Sequence, residues 1–203
     1  VSDDGKGLEL WLPEEKELGY YPPDTLPVIV PQHPRRIAIA PGARHATKRW
    51  LPARFAELAA AFHQKYGAEI VLLGGQDDLA VCEEVRRLST VPMIEATGLR
   101  SIYDTVRILD SCDLLVCNDS GIMHIAAARR IKICAIFGST VREFGFAPFR
   151  VPHVVVEKAL DCRPCTHIGL QACPLGHLQC MVGVTTADVL QAAEKELLTL
   201  TSI

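Results

Sequence analysis

One stretch of the chain combines residue types that can bind an anion. Residues 114–116 form an apolar run typical of a strand covered on both faces, and residues 122–128 predict a helix of small and apolar side chains. Residues 118–121, which lie between them, read Asn-Asp-Ser-Gly. A strand followed by a tight turn and a helix start exposes unpaired backbone N–H groups and the positive end of the helix dipole. This order therefore predicts a phosphate site at the carboxyl edge of a sheet.

His124 lies one helical turn beyond this Asn-Asp-Ser-Gly turn, so its ring can face the same pocket. Simple helix capping by Asp119 and Ser120 explains the same residues equally well, with His124 as a half-buried helix residue. The chain has no G-x-x-x-x-G-K-[ST] or G-x-G-x-x-G motif. A Walker-type NTPase and a dinucleotide dehydrogenase are therefore disfavoured.

A basic loop is the second candidate anion site. Residues 37–40 predict a buried strand, and residues 52–65 predict an amphipathic helix. The loop between them, residues 42–50, contains two arginines, a lysine, a histidine and a threonine. A basic, glycine-containing loop at the carboxyl end of a strand favours anion binding, although a solvated basic loop is the alternative.

The remaining pattern indicates how these stretches are positioned. Apolar strand patterns at residues 69–73, 93–94 and 132–137 alternate with helix patterns at residues 77–88 and 101–111. This alternation predicts an α/β fold with a doubly wound parallel sheet and right-handed crossovers. Four loops should then gather at one sheet edge and converge on one ligand: residues 42–50, 74–77, 118–124 and 138–140.

Composition narrows the class of protein. With 203 residues, 49% hydrophobic residues and a net charge of −3, the chain can fold into one packed domain and does not resemble a general nucleic-acid binder. Its apolar runs are too short to cross a bilayer. We expect a cytoplasmic protein, because several of its eight cysteines fall within helix or strand patterns and behave as small apolar residues.

Two parts of the chain are predicted to differ in organisation. Residues 1–35 are rich in proline and predict an interdomain linker, with an alternating edge-strand segment at residues 8–12. Residues 36–203 form the predicted domain. Because the chain does not begin with methionine, we expect it to be a fragment of a longer protein.

A cysteine-rich loop, residues 162–181, follows the last apolar strand pattern. It contains a C-x-x-C pair and two further cysteines, a series that resembles a tetrahedral zinc site. The alternative is an irregular loop whose thiols are simply packed. The candidate zinc ligands are Cys162, Cys165, Cys173 and Cys180.

Several of these motifs together resemble glycosyltransferase family 9, the ADP-heptose:lipopolysaccharide heptosyltransferases. The motifs are residues 118–128, residues 137–140, and residues 41–43 together with residues 48–52. The cysteine-rich loop is similar to the tail of many members. The resemblance implies one half of a GT-B enzyme, namely its carboxyl-terminal Rossmann-like domain, which binds the nucleotide sugar.

The same resemblance implies an inverting transfer of heptose from ADP-heptose to a lipopolysaccharide inner-core acceptor. By the resemblance, the general base belongs to the family's amino-terminal acceptor domain, which we expect this chain to lack. We therefore expect no catalytic residue in this chain, no cofactor or metal required for transfer, and little activity of the isolated chain. Peripheral contact with the inner face of the inner membrane would be made through the missing domain.

The resemblance also assigns donor-binding residues. Lys48 would contact the phosphates, and Gln76 would stand where the family often has an acidic residue near the ribose. Two residues, Ala43 and Arg44, carry over only as backbone contacts. The full predicted set is Ala43, Arg44, Lys48, Gln76, Asp119, Ser120, Gly121 and His124.

Two other functions remain open from the sequence. A different sugar-nucleotide enzyme, such as an epimerase or a UDP-sugar transferase, is one; an epimerase or a phosphatase would require further carboxylates in the cleft. Asp77 and Asp78 are the spare pair near a strand end, and they are more simply interpreted as acids of a first helical turn. The other is a non-catalytic nucleotide-binding module with a zinc-stapled tail.

Overall fold

The fold is built on one sheet of six parallel strands, seen in a computed structural model that describes residues 8, 10–13 and 35–198. The strands are β1 (Arg36–Ala40), β2 (Glu69–Gly75), β3 (Ile94–Leu99), β4 (Leu114–Asn118), β5 (Lys132–Ile136) and β6 (His153–Val156). Their order across the sheet is β3-β2-β1-β4-β5-β6, and every neighbouring pair runs parallel. The predicted doubly wound parallel sheet is confirmed.

Helices connect the strands and cover both faces of the sheet. They are α1 (Pro52–Tyr66), α2 (Leu79–Leu88), α3 (Ile102–Leu109), α4 (Gly121–Ala128), α5 (Gln179–Val182) and α6 (Thr186–Leu198). Helix α1 begins with a proline and is capped by Gly67, whose φ of 61° is the left-handed conformation that glycine adopts easily just after a helix. Among the described residues, none of the helices combines the length and apolarity required to cross a bilayer.

The two faces of the sheet have separate hydrophobic cores. On β1, Ile37 and Ile39 face the core shared with α1 and α6, whereas Ala38 and Ala40 face the core shared with α3 and α4. Burial on both faces explains why the strands are continuous apolar runs. The strand order places β1 and β4 side by side at the centre, so the loops that follow them are neighbours.

Two local predictions differ from the structure. The third strand is longer than residues 93–94, because its pairing with β2 continues through a bulge to Leu99. The edge strand predicted at residues 8–12 is not formed at residues 10–12, where Leu12 is buried and Arg129 donates a hydrogen bond to the Leu10 carbonyl at 2.9 Å. Most of the predicted linker, residues 1–35, lies outside the described residues.

Candidate functional site

A cleft of about 690 Å³ opens at the carboxyl edge of the sheet. Three of the four predicted loops contribute to it: those after β1, β2 and β4. Its lining consists of Gly42, Ala43, Arg44, Arg49, Gly75, Asp77, Asp78, Thr105, Ser120, Gly121, Ile122 and Ile125. A cleft at this edge, beside the point where strand order reverses, is where open α/β sheets bind ligands.

One buried side-chain amide, that of Asn118, connects the loop after β1 to the end of β4. The Asn118 side chain accepts a hydrogen bond from the Trp50 backbone N–H at 3.0 Å and donates to the Pro41 carbonyl at 2.8 Å. The Trp50 indole is fully buried and donates to the Val184 carbonyl at 2.9 Å. Because these buried groups are satisfied, the basic loop has a fixed position beside β4.

An ion pair lies next to the cleft at the same strand ends. The Lys48 ammonium is 2.6 Å from Asp119 Oδ2, with the two side chains 13% and 3% exposed. The Thr140 hydroxyl donates to the same oxygen at 2.7 Å. The fourth predicted loop, residues 138–140, therefore reaches the site through Asp119 rather than through the cleft lining.

The start of helix α4 presents hydrogen-bond donors to the cleft. Ser120 is the N-cap residue, and its hydroxyl oxygen is buried without a hydrogen-bond partner among the described residues. Gly121 follows as the first helical residue, and a Cβ built there meets no atom within 4 Å. The helix N-terminus, its unpaired N–H groups and the Ser120 hydroxyl can together bind an anion.

Two carboxylates, those of Asp77 and Asp78, also line the cleft. The sequence analysis interpreted these two residues as acids of a simple helix start. Asp78 accepts a hydrogen bond from the Gly75 N–H at 3.1 Å and packs so tightly on Gly42 that a Cβ there would lie 2.1 Å from its Oδ1. Asp77 is exposed and also lines the cleft. The feature of the sequence that could have indicated this position is that both residues closely follow β2.

The predicted donor residues divide into two groups. Ala43, Arg44, Ser120 and Gly121 line the cleft. The others do not: Lys48 and Asp119 pair beside it, Gln76 donates to the Gly98 carbonyl, and His124 is half-buried on α4.

Arg49 lines the cleft but was not among the predicted residues. Its guanidinium donates to the Ala43 carbonyl at 2.7 Å. It belongs to the basic loop, whose general role the sequence did indicate.

The zinc hypothesis for the cysteine-rich loop is not supported. Within residues 8, 10–13 and 35–198, no three His, Cys, Asp or Glu side chains are grouped to hold a metal. Spacing alone predicted the set Cys162, Cys165, Cys173 and Cys180, and spacing does not show whether four thiols surround one point.

Comparisons with known proteins find relatives over most of the chain. The model of glycosyltransferase family 9 (heptosyltransferase) matches residues 23–175. Lipooligosaccharide heptosyltransferase 2 of Campylobacter jejuni is 30% identical over 175 residues, covering 83% of this chain and 54% of that protein. The chain thus spans about half the length of the curated relatives it matches.

Solved structures are similar as well. The crystal structure of a family 9 glycosyl transferase from Veillonella parvula has a TM-score of 0.70 and 25% identity, covering 82% of this chain and 46% of that one. ADP-heptose lps heptosyltransferase II of Escherichia coli has a TM-score of 0.65 and 24% identity, covering 84% of this chain and 49% of that one. At that identity, the second similarity shows the fold alone.

Proposed function

Since this chain belongs to glycosyltransferase family 9, we propose that it forms the donor-binding half of a heptosyltransferase. In this proposal residues 36–203 bind ADP-heptose, and the complete enzyme transfers the heptose to a lipopolysaccharide core acceptor. The main support is the position of the α4 N-terminus, the Ser120 hydroxyl and the Lys48–Asp119 pair at adjoining strand ends.

The chemistry of the transfer requires fixed hydrogen-bond donors at this place. Breaking the bond between the sugar and the diphosphate leaves negative charge on the phosphate of ADP. In our proposal the cations of Lys48, Arg44 and Arg49 and the N–H groups at Ser120 and Gly121 stabilise that charge. Because these groups are held by the fold, little reorganisation is needed when the charge develops.

The ribose is assigned to the open end of the cleft. Gln76, which stands near the expected ribose position, turns to the Gly98 carbonyl, whereas the exposed Asp77 carboxylate lines the cleft directly after β2. An acid at the end of the second strand is the usual partner of ribose hydroxyls in such sheets. We therefore assign the ribose contact to Asp77 instead of Gln76.

The acceptor side of the reaction is proposed to lie outside this chain. The acceptor hydroxyl requires a general base, and we place that base in the half of the protein that the curated relatives have in addition. All eight cysteines are unpaired, which favours a reducing compartment such as the bacterial cytoplasm.

Isothermal titration calorimetry with the full 203-residue chain tests the proposal. ADP and ADP-heptose should bind, and UDP and UDP-glucose should bind more weakly or not at all. Preference for UDP would indicate a different sugar-nucleotide enzyme. Absence of binding by all four ligands would contradict a donor site in this chain.

A further inference from the structure

The cysteine-rich loop contacts the proposed donor site at several points, although it does not line the cleft. We propose that residues 163–170, here called the clasp, position the Lys48 ammonium for the donor diphosphate, with Arg163 as the main positioning residue. This inference rests on the proposed function, because it concerns how that same site is held.

Arg163 makes the first set of contacts. Its side chain is 5% exposed and forms an ion pair with Glu157 at 2.8 Å. Its guanidinium also donates to the backbone carbonyls of Gly138 at 2.5 Å, Thr140 at 2.8 Å and Lys158 at 2.5 Å. The planar guanidinium group has several N–H donors in fixed positions and can bind several carbonyl oxygens at once. Arg163 therefore fixes the backbone of residues 138–140.

That backbone determines where the Lys48 partner lies. Thr140 donates through its hydroxyl to Asp119 Oδ2, the same oxygen that binds the Lys48 ammonium. A displaced Thr140 would leave a buried carboxylate with one donor fewer, and the position of the ion pair would be less defined. The contacts thus connect Arg163 to Lys48 through two intermediate residues.

Leu170 and Gly169 provide a second, independent connection. The Leu170 N–H donates to the Thr47 hydroxyl at 2.8 Å, and the Thr47 N–H donates to the Leu170 carbonyl at 3.1 Å. Gly169 has a φ of +112°, and a Cβ there would lie 2.6 Å from His45 Cβ. Gly169 and Leu170 therefore contact residues 45–47, which immediately precede Lys48.

A third connection is made by aromatic rings. The His167 ring lies 5.4 Å from the Phe146 ring, and the Lys48 ammonium lies 5.9 Å from the same Phe146 ring. A lysine side chain loses much rotamer freedom when it is held in one place. Because the clasp holds the residues around Lys48 before any ligand binds, ligand binding has to restrict the lysine side chain less and loses less entropy.

A double-mutant cycle on the full chain tests the proposal. ADP affinity is measured by calorimetry for the wild type, Arg163→Met, Lys48→Met and the double variant. We expect Arg163→Met to weaken ADP binding about tenfold, and to have no further effect when Lys48 is already replaced. Arg142→Met is the matched control, because Arg142 pairs with the same Glu157 and, within the described part of the chain, its side chain forms no hydrogen bond with residues 138–140. It should leave the affinity unchanged.

The outcomes separate this inference from the proposed function. If the wild type binds ADP but Arg163→Met weakens binding equally in both backgrounds, or not at all, the clasp does not act through Lys48. If Arg163→Met does not fold, Thr140→Val decides in its place, with Thr140→Ser expected to restore affinity. Failure of the wild type to bind ADP would overturn the proposed function and the clasp with it.

Discussion

Two regions at the carboxyl edge of the sheet, here called the closed side and the open side, differ in how far their side chains are exposed. On the closed side, defined as Thr47, Lys48, Asp119, Ser139 and Thr140, every side chain has a hydrogen-bond or ion-pair partner from another loop. On the open side, defined as Arg44 and residues 75–78, three of the five residues are exposed. The closed side is fixed before any ligand arrives, whereas the open side is accessible to solvent.

Under the proposed function, this difference matches the two parts of a nucleotide. A diphosphate carries concentrated charge, and a rigid set of donors recognises it best. A ribose presents neutral hydroxyl groups, for which an exposed carboxylate is a sufficient partner. Substitutions on the closed side should therefore affect both stability and affinity, and those on the open side mainly affinity.

The largest effect is expected from Lys48→Met. It leaves the Asp119 carboxylate buried without its cation, so we expect the free energy of unfolding to fall by about 3 kcal/mol in urea denaturation. ADP affinity should fall at least about tenfold in calorimetry. Adding Asp119→Asn should recover most of the stability but not the affinity. A double variant no more stable than Lys48→Met would show that the pair does not define the closed side.

Gly42→Ala would test the contact between the loop after β1 and Asp78 of the open side. The new Cβ would lie 2.1 Å from Asp78 Oδ1. Asp78 would therefore have to move and lose the hydrogen bond that it accepts from the Gly75 N–H. We expect a loss of about 1–3 kcal/mol in thermal unfolding. The control is Gly121→Ala, where a Cβ meets no atom within 4 Å. Equal stability of the two variants would contradict a tight junction at Gly42.

The closed side should also depend on pH through Glu157. Burial by itself raises the pKa of this carboxyl, but hydrogen bonds from Arg142 and Arg163 outweigh it, so the pKa lies below its ordinary value of 4.5. The resulting stability is present above that value and is lost as the pH falls through the lowered pKa. Glu157→Gln should cost about 1 kcal/mol at pH 7 and progressively less as the pH falls below 4.5, measured by urea denaturation. A pH-independent difference would exclude the ion pairs as its cause.

The smallest effect is expected on the open side, from Asp77→Asn. Stability should change by less than about 0.5 kcal/mol, because the side chain is exposed. ADP affinity should fall by about 0.5–1 kcal/mol, the value of one hydrogen bond. The wild type should prefer ADP over 2′-deoxy-ADP, and the variant should bind both alike. An unchanged preference would assign the ribose hydroxyls to another residue.

The sequence predicted the parts of the structure that depend on neighbouring residues. Apolar runs revealed β1 and β4, and the polar turn at residues 118–121 revealed the start of α4, because these signals are local. The pairing of Lys48 with Asp119 was not predicted, since 71 residues separate the two and their contact depends on strand order. The contacts of Arg163 were missed because its partners are backbone carbonyls, which every sequence contains.

The bond between Thr47 and Leu170 has a consequence for the order of events during synthesis. The two residues are 123 positions apart, so most of the domain must be translated before they can meet. Contacts of such long sequence separation form late, after loop closure has been completed. A nascent chain that stops before Leu170 therefore contains all six strands of the sheet but lacks the hydrogen bonds that hold Thr47 in the finished domain.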